Sequence, residues 1–153
     1  MTDKVDSEKR SRIMSAIKAS NTTPEVYIRK ILFSEGFRYR INQKNLPGKP
    51  DIVLAKYKTV VFVHGCFWHR HQCHLGGTPK SNVDFWDRKF DMNLNRDKRI
   101  TQTLLNLGWK VIIIWECAIR GKFKQTEDLL RLKLSSSIRG NPQKFIEIEG
   151  CKI

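Results

Sequence analysis

Apolar positions along this chain recur with two different periods, and the change between them marks the elements. Ser7 is suited to capping a helix, and after it Ile13, Met14 and Ile17 form a stripe flanked by Lys9, Arg10, Arg12 and Lys18. A helix over 7–20 is expected, with an apolar face too narrow for a core. Thr23 before Pro24 signals a second helix start, and Val26, Ile28, Ile31 and Leu32 carry a broader face as far as Gly36. Residues 37–41 then read as a strand, and two prolines and a glycine make Asn45-Leu46-Pro47-Gly48-Lys49-Pro50 a loop. Ile52-Val53-Leu54-Ala55 and Thr59-Val60-Val61-Phe62-Val63 are apolar and only a few residues apart, which predicts a buried hairpin.

No period is sustained over 65–81, a stretch of histidines, cysteines and glycines that must be held by something other than a core. From 83 or 84 to 107 the helical period returns, with Ile100, Leu104 and Leu107 on one face and Gly108 as its C-cap. Trp109-Lys110-Val111-Ile112-Ile113-Ile114-Trp115 is the strongest strand signal and should lie mid-sheet. A helix over 126–136 and a short strand over 144–148 complete the pattern. Helices on either side of a hairpin and a central strand predict an α/β sandwich, read as a single domain over 1–153.

Composition narrows the partners. The chain has 153 residues, 40% of them hydrophobic, enough for one core. No apolar run approaches the roughly 18 residues of a membrane span, and the first twenty residues are too charged for a secretory core, so a cytoplasmic monomer is expected. Lys and Arg number 29 against 15 acids, a formal charge of +14, and so large a surplus is self-repulsive unless it faces a polyanion. Nucleic acid is the natural partner, through release of its counterions.

All four histidines fall in His64-Gly65-Cys66-Phe67-Trp68-His69-Arg70-His71-Gln72-Cys73-His74. Cys66, His71 and Cys73 can converge on a tetrahedral zinc ion if Cys117, directly after the central strand, supplies the fourth donor. His69 and His74 compete with His71 for the imidazole position; Cys151 has no evident role. A tight turn centred on Tyr57 and Lys58 would oppose Asp51 to His64, bringing a carboxylate and an imidazole to one sheet end, with Glu25 near. One aspartate, a backbone carbonyl near Val63 and substrate phosphate are enough to hold Mg2+, and His69 can then take a proton from attacking water.

Phe67, Trp68, Phe85 and Trp86 are large aromatics in polar, glycine-bearing surroundings, the make-up of a wedge between base pairs. Lys89, Asn93 and Arg96 share one face of the long helix and offer donors to phosphates and base edges.

Three motifs, Leu46-Pro47-Gly48-Lys49-Pro50-Asp51, Val63-His64-Gly65-Cys66-Phe67-Trp68-His69 and Trp115-Glu116-Cys117-Ala118, closely resemble the very-short-patch-repair endonucleases of bacteria. The resemblance implies a three-layer α/β/α fold related to type II restriction endonucleases, with a central mixed sheet and one structural zinc site. It also implies a Mg2+-assisted nick 5′ to the thymine of a T·G mismatch left by deamination of 5-methylcytosine. By that likeness Asp51 and the Val63 carbonyl serve the magnesium, His69 is general base, and His64 and Glu25 are accessory. Cys66, His71, Cys73 and Cys117 hold the zinc. Met14 in the N-terminal helix, Phe67, Trp68, Trp86, Lys89 and Asn93 would contact DNA. A mismatch-repair protein, a repair DNA polymerase and a cytosine-5 methyltransferase are the protein partners such an enzyme suggests. Ordinary restriction nucleases place an acid and a lysine where Phe62 and His64 stand, which tells against restriction activity. A non-catalytic zinc-stabilised DNA-binding protein, and a structure-specific or RNA-cleaving nuclease, are the competing readings.

Overall fold

β3 (Lys110–Trp115) is buried along its whole length, as its uninterrupted apolar run requires. It pairs in parallel with β2 (Thr59–His64) on one side and with β4 (Phe145–Ile148) on the other, while β1 (Ile52–Leu54) runs antiparallel to β2. The result is a mixed four-stranded sheet in the order β1-β2-β3-β4. The computed structural model describes residues 22–77 and 79–150, so the expected helix over 7–20 with Met14, and Cys151, lie outside the described residues.

Alternation along β3 divides the core into two layers. Ile112 and Ile114 pack with Ile28, Ile31 and Leu32 of α1 (Thr23–Ser34) and with Leu130, Leu134 and Ile138 of α3 (Glu127–Arg139). Val111, Ile113 and Trp115 face the other way, onto Leu104 of α2 (Val83–Asn106). Helices therefore cover both faces of the sheet, giving the expected three-layer α/β/α architecture. No helix among the described residues is long and apolar enough to cross a membrane.

Capping follows the sequence. The Thr22 hydroxyl accepts from the Glu25 amide at 3.3 Å, and Thr126 accepts from Leu129 at 3.2 Å. At the end of α2 Gly108 takes φ 90°, a conformation only glycine adopts cheaply, and the chain doubles back into β3. The Lys110 ammonium, buried, donates to the carbonyls of Ser137 and Asn141 at 2.7 Å each, fastening the start of β3 to the end of α3.

Two expectations need correction. Residues 37–41 form no strand; only Arg40 bridges Val53, through two backbone bonds of 2.8 Å, because the prolyl loop that follows turns the chain away. In the hairpin Ile52 faces Val61 and Leu54 faces Thr59, two residues away from the register that would set Asp51 opposite His64. The connection is a 3-10 turn over Ala55–Tyr57 closed by Lys58 at φ 47°, so β1 ends before Ala55 and the loop is longer than a two-residue turn.

Candidate active site and metal centre

β2 and β3 end side by side, with His64 and Trp115 as register partners, and both chains then turn into the loops that carry the polar chemistry. On one side of this point lies an open cleft of about 820 Å3, lined among others by Glu25, Asp51, Val63, His64, His69 and Asp97. Despite the shifted register, Asp51 stays at the mouth of the hairpin: its Oδ2 accepts from the Val63 amide at 2.7 Å. Burial pushes the Asp51 carboxyl up to about 7, opposed by that amide and reinforced by the neighbouring Glu25 carboxylate. Glu25 is itself buried in the first turn of α1, with Arg29 at 3.2 Å.

The two cleft histidines lie flat against one another, ring centroids 3.8 Å apart and planes within 2°. Burial, with the charge of His69 next, pulls His64 down to about 3, so it is a neutral ring. His69 Nδ1 lies 2.5 Å from Asp97 Oδ2. A carboxylate at that distance fixes the tautomer with the proton on Nδ1, leaving the Nε2 lone pair free as a base.

Sequence reasoning missed Asp97. It sits in the run Arg96-Asp97-Lys98-Arg99, which reads as a solvated helix face. The signal was the spacing: Asp97 continues the row of Lys89 and Asn93 by one further helical step of four, so all three point toward the loop.

Across the strand ends from the cleft, donor atoms of Cys66, His71, Cys73 and Cys117 all lie within 4.8 Å of one another, uniting the set proposed for zinc. Tetrahedral ligands at ordinary zinc–sulfur distances stand roughly 3.7 Å apart, so the cluster needs little contraction to close on an ion. Cys117 Sγ is 3.6 Å from His71 Nδ1 and accepts from the Gly150 amide at 3.2 Å, while Cys66 Sγ accepts from the Cys117 amide at 3.4 Å. Burial pushes the thiols of Cys66 and Cys117 up, a cost that a divalent cation among three thiolates removes. The outer nitrogen of His71 faces Glu149 Oε2 at 2.9 Å, the carboxylate support that metal-bound histidines use. Of the two rival imidazoles, His69 belongs to the cleft and His74 packs edge-on against Phe123.

The aromatic residues form one cluster beside the cleft. Phe67 meets Trp68, Trp86 and Phe90 edge-on at centroid distances of 5.2, 5.5 and 5.3 Å. Phe90 is buried and anchors the cluster, Trp68 and Trp86 are half-buried, and Phe85 is exposed. The Lys89 ammonium stands 5.5 Å over the Trp68 ring. Asn93 differs from the expectation of a free donor row: its amide donates to the Trp68 carbonyl at 2.9 Å and its Oδ1 accepts from Arg96.

Comparison with known proteins gives consistent matches. The profile of a family described as DNA mismatch endonuclease Vsr matches residues 2–75. A type II nicking enzyme of Neisseria meningitidis serogroup A is 52% identical over 132 residues, covering 86% of this chain and 94% of its own. A second, of Xanthomonas oryzae, is 44% identical over 78% of this chain and 88% of its own. The DNA mismatch endonuclease Vsr of Escherichia coli is 41% identical over 140 residues, covering 92% of this chain and 90% of its own.

Proposed function

The chain belongs to the DNA mismatch endonuclease Vsr family and is a DNA-cleaving hydrolase; from that premise we propose that it nicks one strand 5′ to the thymine of a T·G mismatch, using Mg2+. The observation that carries the chemistry is that the Asp51 carboxylate and the His69–Asp97 pair line one cleft. Asp51, the Val63 carbonyl and the nearby Glu25 are hard oxygen donors, and a carboxyl raised by burial and further by the Glu25 carboxylate gains from a cation between the two. Bound there, magnesium would neutralise charge on the scissile phosphate. His69 Nε2 accepts the proton of the attacking water, and Asp97 keeps its ring oriented and steadies the imidazolium that results. His64, neutral and stacked on His69, holds the second face of the ring and keeps water from it.

Specificity follows from the neighbouring cluster. Phe67, Trp68 and Trp86 offer stacking faces beside the cleft, and unstacking a base step costs a few kcal/mol, less at a mismatch. Lys89 and Asn93 lie against that wedge, and Met14 would act with it. A structural zinc on Cys66, His71, Cys73 and Cys117 holds the loop between His64 and α2 in place.

The test uses purified, zinc-loaded protein with Mg2+ on three duplexes that differ only in carrying T·G, T·A or C·G at one position. Nicking restricted to the T·G duplex, and abolished by Asp51→Ala with retained DNA binding, is expected. Tight binding with no cut on any duplex would replace this reading with that of a non-catalytic binder.

A further inference from the structure

Building on the nuclease reading of the cleft, we infer that Lys49 is a catalytic residue that contacts the scissile phosphate and takes the part of the cation missing from β2. Four carboxylates line the cleft, Glu25, Asp51, Asp97 and Glu116, against two cations, Lys49 and Arg96. Arg29 balances Glu25 at 3.2 Å and Arg120 balances Glu116 at 2.8 Å, so a phosphodiester entering the site faces Asp51 and Asp97, and each cation lining the cleft counts for more than it would in water. Arg96 has a partner in the Asn93 side chain, 3.3 Å away. Lys49 is exposed and stands two residues before Asp51.

The backbone at this point is costly. Lys49 adopts φ 48°, the left-handed region that a residue with a Cβ avoids, and it precedes Pro50, which favours extended backbone instead. Gly48 before it has φ 75° and presses so close to α2 that a Cβ there would run into Ile100. Glycine would be the cheap residue at position 49, and asparagine the next, so the lysine there is held at a cost in stability, as Lys58 is in the β1–β2 turn. The loop lays the residue against the cleft wall. In ordinary restriction nucleases a strand lysine does this work; here that strand position is His64, and the cation arrives from the prolyl loop.

Single-turnover nicking of a T·G duplex, with zinc-loaded enzyme in saturating excess, separates the possibilities. Lys49→Ala and Lys49→Gly should lower the saturated rate about 10- to 100-fold, while duplex Kd changes less than about threefold and zinc content stays at one per chain. Lys49→Gly should also melt higher than Lys49→Ala by about 2–4 °C, because it relieves the left-handed backbone. Lys49→Arg should recover most of the rate. A saturated rate within twofold of the parent for Lys49→Ala, or a loss confined to Kd, overturns the inference. Asp51→Ala run alongside tells the two failures apart: if it too nicks normally the cleft is not the active site, and if it alone is dead only the role of Lys49 is lost.

Discussion

The cleft and the cysteine cluster lie on either side of the same strand ends, yet they are built on opposite principles. The cluster gathers its Cys and His donors from one loop and from the residue two past β3, and closes them inward with backbone amides on the sulfurs, one of them Gly150 from beyond β4. The cleft sets hard oxygens and an imidazole around a space that stays open. In the function proposed, one site spends its donors on holding the chain together and the other keeps them for substrate. Cys66 and His69, three residues apart, belong to different sites, so the turn between them transmits the rigidity of the first to the geometry of the second; His71 and His69 donate to their backbone neighbours Cys66 and Gly65 at 2.9 and 3.2 Å.

Damage to the cluster should therefore cost far more stability than any single change in the cleft. Cys117→Ser should lose zinc, since removing one of four ligands unties residues 65–77, and a structural zinc contributes on the order of 10 kcal/mol. Metal content by mass spectrometry and melting should fall together, and nicking with them. A variant that kept one zinc per chain and its melting temperature would abolish the distinction between the two sites. A cleft change of the opposite character is Asp97→Asn, which weakens the hold on His69 Nδ1 without touching the cluster. Turnover should drop about 10- to 100-fold, with zinc content, melting and duplex affinity unchanged; a drop in zinc would mean that the cleft is also structural.

The wedge lies between these extremes, since Trp68 packs on Phe67 and Trp86 yet also lines the cleft. Trp68→Ala should reduce the preference for T·G over T·A duplex about tenfold, through loss of one stacking contact. An unchanged preference would make the aromatic cluster a second core and nothing more.

What the sequence could reveal of each region follows the same contrast. The ligands of the cluster are rare residue types, and Cys66, His71, Cys73 and Cys117 stand out in any reading; so does β3, whose apolar run needs no context. The cleft draws on common residues whose meaning depends on register and helical phase. A two-residue hairpin turn predicts Asp51 beside His64; the 3-10 turn moves the pairing by two, and proximity survives because the Asp51 side chain reaches the Val63 amide. Asp97 and Glu149 were invisible for a plainer reason: an acid among surface charges acquires a role only when a distant histidine is folded against it, 28 residues away for Asp97 and 78 for Glu149. The strand expected over 37–41 had the right residue types but only one neighbour to pair with, Val53.

The smallest effect separates the two sites by their response to pH. In the folded, metal-free protein burial and the Glu25 carboxylate raise Asp51 from 3.8 to about 7, so between those values the native state keeps a proton that the unfolded chain releases. Stability from this group is therefore full below the lower value, declines as pH rises through the window, and is lowest above the upper one. Asp51→Asn removes the charge while its side-chain oxygen can still accept from Val63. The variant should melt several degrees above the parent near pH 8 and level with it near pH 4. Adding Mg2+ should raise the parent at the higher pH and leave the variant where it was, because only a carboxylate in need of a counter-charge gains from the cation. An equal offset at both pH values would mean that Asp51 ionises as freely as a surface acid, and that the cleft places no premium on a metal.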